Sequence, residues 1–200
     1  VKDILSTVNP ADIAVIFRDQ PAQRLLMLFR LLPKETAADV FVEMEPVLQE
    51  QLINAFSDKE LADIVNEMYA DDAADLVEEM PASVVKRILK QASPDVRRDI
   101  NELLKYPEDS AGSIMTPEFA DLHSTMTAAE ALDHIRLTGV DKETIDICYV
   151  IEKRRLIGLV SLRTLVLANA RAVVSDLMDE NVISVGTLDD IAVVADMFAK

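Results

Sequence analysis

Tyr106-Pro107-Glu108-Asp109-Ser110-Ala111-Gly112-Ser113-Ile114-Met115-Thr116-Pro117-Glu118 is the stretch on which the reading of this chain turns. Before it, apolar residues recur at helical spacing. After Tyr106-Pro107 that rhythm stops, and Gly112 and Pro117 punctuate a loop. A chain of 200 residues that changes period near its middle reads as more than one domain, with enough length to bury a core.

On the N-terminal side, Pro10, Pro21, Pro33, Pro46, Asp58, Asp71, Pro81 and Pro94 fall about every 12 residues. Each interval forms a helical pattern of roughly ten residues; Leu61, Ile64, Val65 and Met68, for example, sit at i, i+3, i+4 and i+7. Proline suits the first turn of a helix, where its missing N–H is not needed. Ala-Asp-apolar recurs at Ala11, Ala38, Ala62 and Ala74, and Glu-Met closes units at Met44, Met68 and Met80, which read as core fillers. Helices this short are marginal alone and must stack. The expected fold of residues 1–105 is an all-α superhelical repeat bundle.

On the C-terminal side the pattern is α/β. Phe119–Leu122 reads as a short strand, and Thr127-Ala-Ala-Glu130 is a capping box opening a helix to about Leu137. Strands are expected near Ile147–Ile151 and Leu156–Val160, joined by Glu152-Lys-Arg-Arg155, then a helix from Leu162 to Ala168. Ile114-Met-Thr116 is echoed by Leu177-Met-Asp179, 63 residues on. A short strand at Val182–Val185 and a helix opening Thr187-Leu-Asp-Asp190 follow. Residues 106–171 thus read as one β-α-β-β-α unit and 172–200 as the start of a second.

Charge narrows the function. The chain carries 36 acidic and 20 basic side chains, formally −16, which argues against nucleic acid and anionic membranes and favours cations. A hydrophobic content of 50% excludes a disordered acidic tail, while 4 Gly and 4% aromatics argue against a β-sandwich. One cysteine, Cys148, and two histidines, His123 and His134, leave no disulfide framework or Cys/His zinc site. The longest apolar stretch, Leu156 to Val174, is broken by Arg163 and Arg171, so no membrane helix is expected. The chain opens on Val1 and stops at Lys200 within a helical pattern, and it reads as a soluble, intracellular piece of a longer protein. There is no nucleophile with a base and no glycine-rich phosphate loop, and an enzyme is the weakest class.

From Asp39 to Glu79 there are 13 acidic residues against one basic residue, Lys59. Asp39/Glu43, Asp63/Glu67, Asp71/Asp75 and Asp75/Glu79 are i,i+4 pairs, which repel unless a cation or partner neutralises them. They read either as a solvated face or as a site for a hard cation that prefers carboxylate oxygen. Spacing alone leaves both open.

The stretch from Tyr106 to Glu118 closely resembles the junction of MgtE-type magnesium channels, where an acidic helical N domain meets tandem cystathionine β-synthase (CBS) domains. Leu31-Leu-Pro-Lys-Glu-Thr-Ala-Ala-Asp39, Asp71-Asp-Ala-Ala-Asp75 and Gly158-Leu-Val-Ser-Leu-Arg163 fit the same family. The resemblance implies a cytosolic Mg²⁺ sensor on a dimeric transmembrane pore, with the pore domain absent from this chain and the CBS domains forming the homodimer. Mg²⁺ would bridge acidic N-domain and CBS surfaces and hold the pore closed. Carried across by position, the family's carboxylate ligands fall on Asp39, Asp71 and Asp75, with the adjacent Asp72 supporting them from behind or binding through water. Ala199 stands where the family offers a backbone carbonyl, and Ala192 replaces a carboxylate, so that site is altered or lost. CBS pairs often bind adenine nucleotides through Ser/Thr-x-x-Asp; here Ser161-Leu-Arg-Thr164 has Thr164 for the Asp, which argues against nucleotide at the first unit. The alternative is a helical interaction module fused to a nucleotide-sensing CBS pair.

Overall fold

The computed structural model describes residues 7–199. They divide into two compact units, the first ending at Glu108 and the second beginning at Asp109.

The first unit is a run of eight described helices: α1 (Pro10–Arg18), α2 (Ala22–Phe29), α3 (Lys34–Val42), α4 (Pro46–Ala55), α5 (Asp58–Val65), α6 (Ala70–Glu79), α7 (Ala82–Gln91) and α8 (Pro94–Leu103). Their first residues are 12 apart throughout, so the repeat read from the prolines is regular in space as well. Proline is the first helical residue in α1, α4 and α8 and the residue before it in α2, α3 and α7. Ser57 opens α5 with a full capping box. Asp71 does not start its helix; α6 opens one residue earlier, at Ala70, with Asp71 and Asp72 in the first turn.

Most helices pack mainly on the next but one: α1 on α3, α2 on α4, α3 on α5, α5 on α7 and α6 on α8, while α4 also packs on α7. This is the superhelical stacking that short helices require, because each covers the apolar stripe of another. At its centre the rings of Phe29, Phe41 and Phe56 lie 5.4 to 6.3 Å apart. Val40, Ile53, Leu61, Val65, Ala73, Ile88 and Ile100 are fully buried around them, and Met44, Met68 and Met80 fill the core as expected. Two polar side chains close helix ends from inside. The buried Gln49 donates to the Phe41 and Val42 carbonyls. Arg87 donates to the Ile53 and Phe56 carbonyls.

The second unit holds β1 (Phe119–Leu122), α9 (Ala128–Thr138), a 3-10 turn at Gly139–Asp141, β2 (Thr144–Glu152), β3 (Arg155–Ser161), α10 (Leu162–Leu167), α11 (Val174–Leu177) and α12 (Ile191–Phe198). The sheet order is β1-β2-β3, with β1 parallel to β2 and β2 antiparallel to β3. Ala120, Leu122, Cys148, Val150 and Val160 face Ala128, Ala131, Ile135 and Leu165 in one core. The expected box of Thr127 and Glu130 caps α9. The hairpin tip puts Lys153 and Arg154 at φ of 48° and 65°, the left-handed pair that a two-residue turn between right-twisted strands requires.

Two expectations fail here. Val182–Val185 is not a strand; Ile183 is exposed, and among the described residues the sheet holds β1, β2 and β3 alone, so no ladder forms here. The last helix is capped by Asp190, whose side chain accepts from the Ala192 amide, and not by a box at Thr187. The 63-residue offset explains this, since it sets Asp190, not Thr187, opposite Thr127.

That offset governs the hydrogen bonding of the second unit. Ala111 N–H donates to the Asp189 carbonyl (2.7 Å), Gly112 N–H to Thr187 (2.8 Å) and Ile191 N–H to Asp109 (2.8 Å). Shifted by 63, these become Val174 N–H to Met126 (2.8 Å), Ser175 N–H to Ser124 (3.0 Å) and Ala128 N–H to Ala172 (2.8 Å), all present. Each half's lead-in is therefore tied to the helix start of the other half.

Gly158 lets the β3 edge approach the next segment. A Cβ there would meet Met178 Sδ at 2.6 Å and the Asp179 carbonyl at 3.2 Å. Gly158→Ala is expected to lower stability by about 1–3 kcal/mol, the usual range for overpacking. Thermal unfolding of Gly158→Ala with and without Met178→Ala checks this, and the double variant should recover part of the loss.

Candidate functional site

The acidic block resolves into two populations. In the first, cations from outside the block neutralise it. Arg30, just past α2, holds Glu60 of α5 at 2.7 Å, and Lys34 at the start of α3 reaches Glu67 at 2.6 Å and Asp63 at 3.9 Å. Arg87 of α7 reaches Asp58 at 3.2 Å. These pairs follow from the stacking, since α3 lies on α5 and α5 on α7. Asp63 and Glu67 are thus not a repelling pair awaiting an ion. The Arg30 guanidinium, with the Ser57 amide, holds the Glu60 carboxyl down at about 2.

The second population has no such cation among the described residues. Asp75 and Glu78 lie one turn apart on α6. Partial burial raises the Asp75 carboxyl above its ordinary value. Partial burial raises Glu78 too, and the charges of Asp75 and Glu108 add to it. On α3, burial and then the charge of Glu35 raise Asp39. The residue that crowds Asp39 is therefore Glu35, four positions before it, rather than the expected Glu43, which lies past the helix end.

Asp71 and Asp72 occupy the first turn of α6, where backbone N–H groups favour negative charge, and both are half-buried. Asp71, Asp72 and Asp75 share that helix, while Asp39 stands on α3. Ala199 belongs to the second unit; it caps α12 and is exposed, its amide donating to the Ala195 carbonyl at 3.2 Å. Among the described residues no three His, Cys, Asp or Glu side chains come together to hold a metal ion. The donor set therefore does not fit a cage. It fits a hydrated divalent ion touched by one or two carboxylates, the form in which Mg²⁺ is usually held. Glu78 and Glu108 were missed from the sequence; the i,i+3 spacing from Asp75 marks the first, and no local signal marks the second.

The other groups of possible chemistry stand apart from these carboxylates in sequence, in the second unit. Burial pushes the Cys148 thiol up to about 11. His123 is exposed, its Nδ1 lying 3.3 Å from the Ile151 carbonyl. Ser161 and Thr164 satisfy each other, with their hydroxyls 2.8 Å apart and the Thr164 amide donating to Ser161 Oγ at 3.0 Å, capping α10.

The two populations have opposite pH signatures. Asp39, Asp75 and Glu78 bind protons better in the fold than in the unfolded chain. The stability they confer is complete below about 4, the ordinary carboxylate value, and is lost as pH rises through their raised values. Glu60 confers stability above the ordinary Glu value and loses it as pH falls toward about 2. Asp75→Asn should stabilise the protein at pH 7 by about 0.2–1 kcal/mol after solvent screening, with the gain vanishing near pH 3. Glu60→Gln should destabilise it at pH 7, with the difference shrinking as pH falls. Thermal unfolding from pH 3 to 8 reads both.

Residues 8–109 match the family model of the MgtE intracellular N domain, and residues 111–171 match that of the CBS domain. The chain is 32% identical over 204 residues to the Magnesium transporter MgtE of Thermus thermophilus, an alignment covering 100% of this chain and 45% of that protein. It is 28% identical over 190 residues to the Magnesium transporter MgtE of Bacillus subtilis, covering 94% and 42%. The chain spans less than half the length of these curated relatives. Among solved structures, the cytosolic domain of the Mg²⁺ channel MgtE in complex with ATP superposes with a TM-score of 0.90 at 31% identity, covering 98% of this chain and 81% of that one. The soluble part of a magnesium transporter gives 0.90 at 26% identity, covering 98% and 78%. With its helical repeat matched from end to end, the chain belongs to the MgtE family, as an intracellular N domain followed by CBS-domain sequence.

Proposed function

We propose that this chain is the cytosolic Mg²⁺-sensing region of a magnesium channel or transporter. Mg²⁺ held between acidic N-domain and CBS surfaces favours the closed pore, and its loss lets those surfaces repel. The observation that carries this reading is the division of the acidic block. Asp58, Glu60, Asp63 and Glu67 are neutralised by Arg30, Lys34 and Arg87, while Asp39, Asp75 and Glu78 are left with raised proton affinity and no cation among the described residues. A purely solubilising face has no need of carboxylates that are both part-shielded and uncompensated. The same field that draws a proton to them draws a divalent ion, with two charges and without requiring low pH. Asp39, Asp71 and Asp75 are the proposed ligands; Asp72 assists through water, and the Ala199 carbonyl contributes from the CBS side. The pore is a separate domain of the same protein, and the CBS region pairs two copies, on the cytosolic face of the membrane. Among the described residues no helix is long and apolar enough to cross a membrane.

A second reading, adenine nucleotide sensing, draws on the cleft of about 550 Å³ beside Asp146, Ser161 and Arg163, and on the solved relative that holds ATP. Against it, Thr164 offers a neutral hydroxyl already engaged with Ser161 where the resemblance calls for a carboxylate.

Thermal unfolding across a Mg²⁺ titration at constant ionic strength separates these readings, with NaCl, Ca²⁺ and ATP as parallel arms. Ligand bound only to the folded state adds RT ln(1 + [L]/Kd), about 2.7 kcal/mol at a hundredfold excess over Kd. The sensor reading expects stabilisation by millimolar Mg²⁺ that NaCl does not reproduce and that Asp71→Asn/Asp75→Asn abolishes. Equal responses to Mg²⁺ and NaCl, with or without a response to ATP, overturn it.

A further inference from the structure

We propose that the junction segment Asp109–Gly112 is a strained clasp through which the helical unit acts on the start of α12, rather than on the half of the second unit that follows it in sequence. What the signal is rests on the Mg²⁺-sensing reading; the route does not.

The route is the main chain itself: Glu108 is the last residue of the helical unit and Asp109 the first of the second unit. From there the main chain is held by residues 187–191, through the three bonds of Ala111, Gly112 and Ile191. Only residues 104–108 separate the end of α8 from this segment.

The clasp differs from its counterpart 63 residues on, which has the same hydrogen bonds. Asp109 sits at φ 60°, in the left-handed region that non-glycine residues seldom adopt, whereas its counterpart Ala172 is not among the residues at positive φ. Ser110 is 3% exposed and its hydroxyl has no hydrogen-bond partner among the described residues, whereas its counterpart is the apolar Val173. A buried hydroxyl left unsatisfied and a left-handed Asp are both unfavourable, and here they are adjacent. Three main-chain bonds hold them in place. The same fold without either feature exists in the same unit, so the strain is not demanded by the architecture. It sets this tie, and not its twin, close to opening.

Amide hydrogen exchange on the 200-residue chain tests the proposal. Proline cannot adopt a positive φ, so Asp109→Pro should speed exchange at Ala111, Gly112 and Ile191 at least tenfold relative to Asp109→Gly. Ala128, Val174 and Ser175, the twin set, should stay within twofold. Ser110→Ala removes the unsatisfied hydroxyl and should slow exchange at the first set, which keeps the test decisive where the proline variant folds poorly. Added Mg²⁺ should slow exchange in α6 and at Ile191 together, and in Asp109→Pro should slow α6 alone. Equal response of the two sets to Asp109→Pro, or no response to Ser110→Ala, overturns the clasp. An α6 response to Mg²⁺ with an unresponsive Ile191 overturns the route. No α6 response to Mg²⁺ overturns the sensing reading instead, and the clasp is then decided by the two variants.

Discussion

A helix of eight to ten residues leaves up to half of its backbone polar groups without a partner inside the helix, four N–H at its start and four C=O at its end. Such a helix does not hold itself together in water, and everything in the first unit answers to that constraint. Proline or a capping serine opens most of the helices, reducing the number of unsatisfied donors. At the other ends Gln49 and Arg87 are drawn inward to satisfy carbonyls at the ends of α3 and α4. The apolar stripes are then buried by stacking every second helix. Once polar groups are spent on caps and apolar ones on the stack, the remaining outer faces are free to vary, and there the acids collect.

Stacking also decides which acids keep their charge uncompensated. Arg30, Lys34 and Arg87 lie outside the acidic block in sequence, yet the next-but-one packing sets them against its middle, from Asp58 to Glu67. The two flanks, Asp39 on α3 and Asp75 with Glu78 on α6, are left to desolvation and to each other. A single helical repeat thus yields a neutralised centre and two uncompensated margins from one run of similar residues.

The helical repeat was legible because proline reports a helix start directly and the period is short. The sheet was legible because strands and the Thr127 box leave local signals. What the sequence hid was long-range. Nothing near Asp63 announces Lys34, 29 positions away, and nothing near Glu78 announces Glu108. Val182–Val185 misled because a strand's apolar pattern is only a capacity to pair, and no described strand pairs with it. The carboxylates assigned by family resemblance fall on two helices, and the regular stack explains why they stand apart rather than converge in one nest.

The exchanged lead-ins of the second unit have a consequence for how the protein is made. Asp109 bonds to Ile191, 82 positions later, and α9 cannot complete its first turn's bonding until Ala170 and Ala172 have been synthesised. The helical unit, whose contacts are between near neighbours, has no such wait. As the chain leaves the ribosome, the acidic helices and then the sheet can assemble in order, while the segment between the two units waits until Ile191 has emerged. A nascent chain therefore passes through a stage in which the charged unit is finished and its tether is still loose.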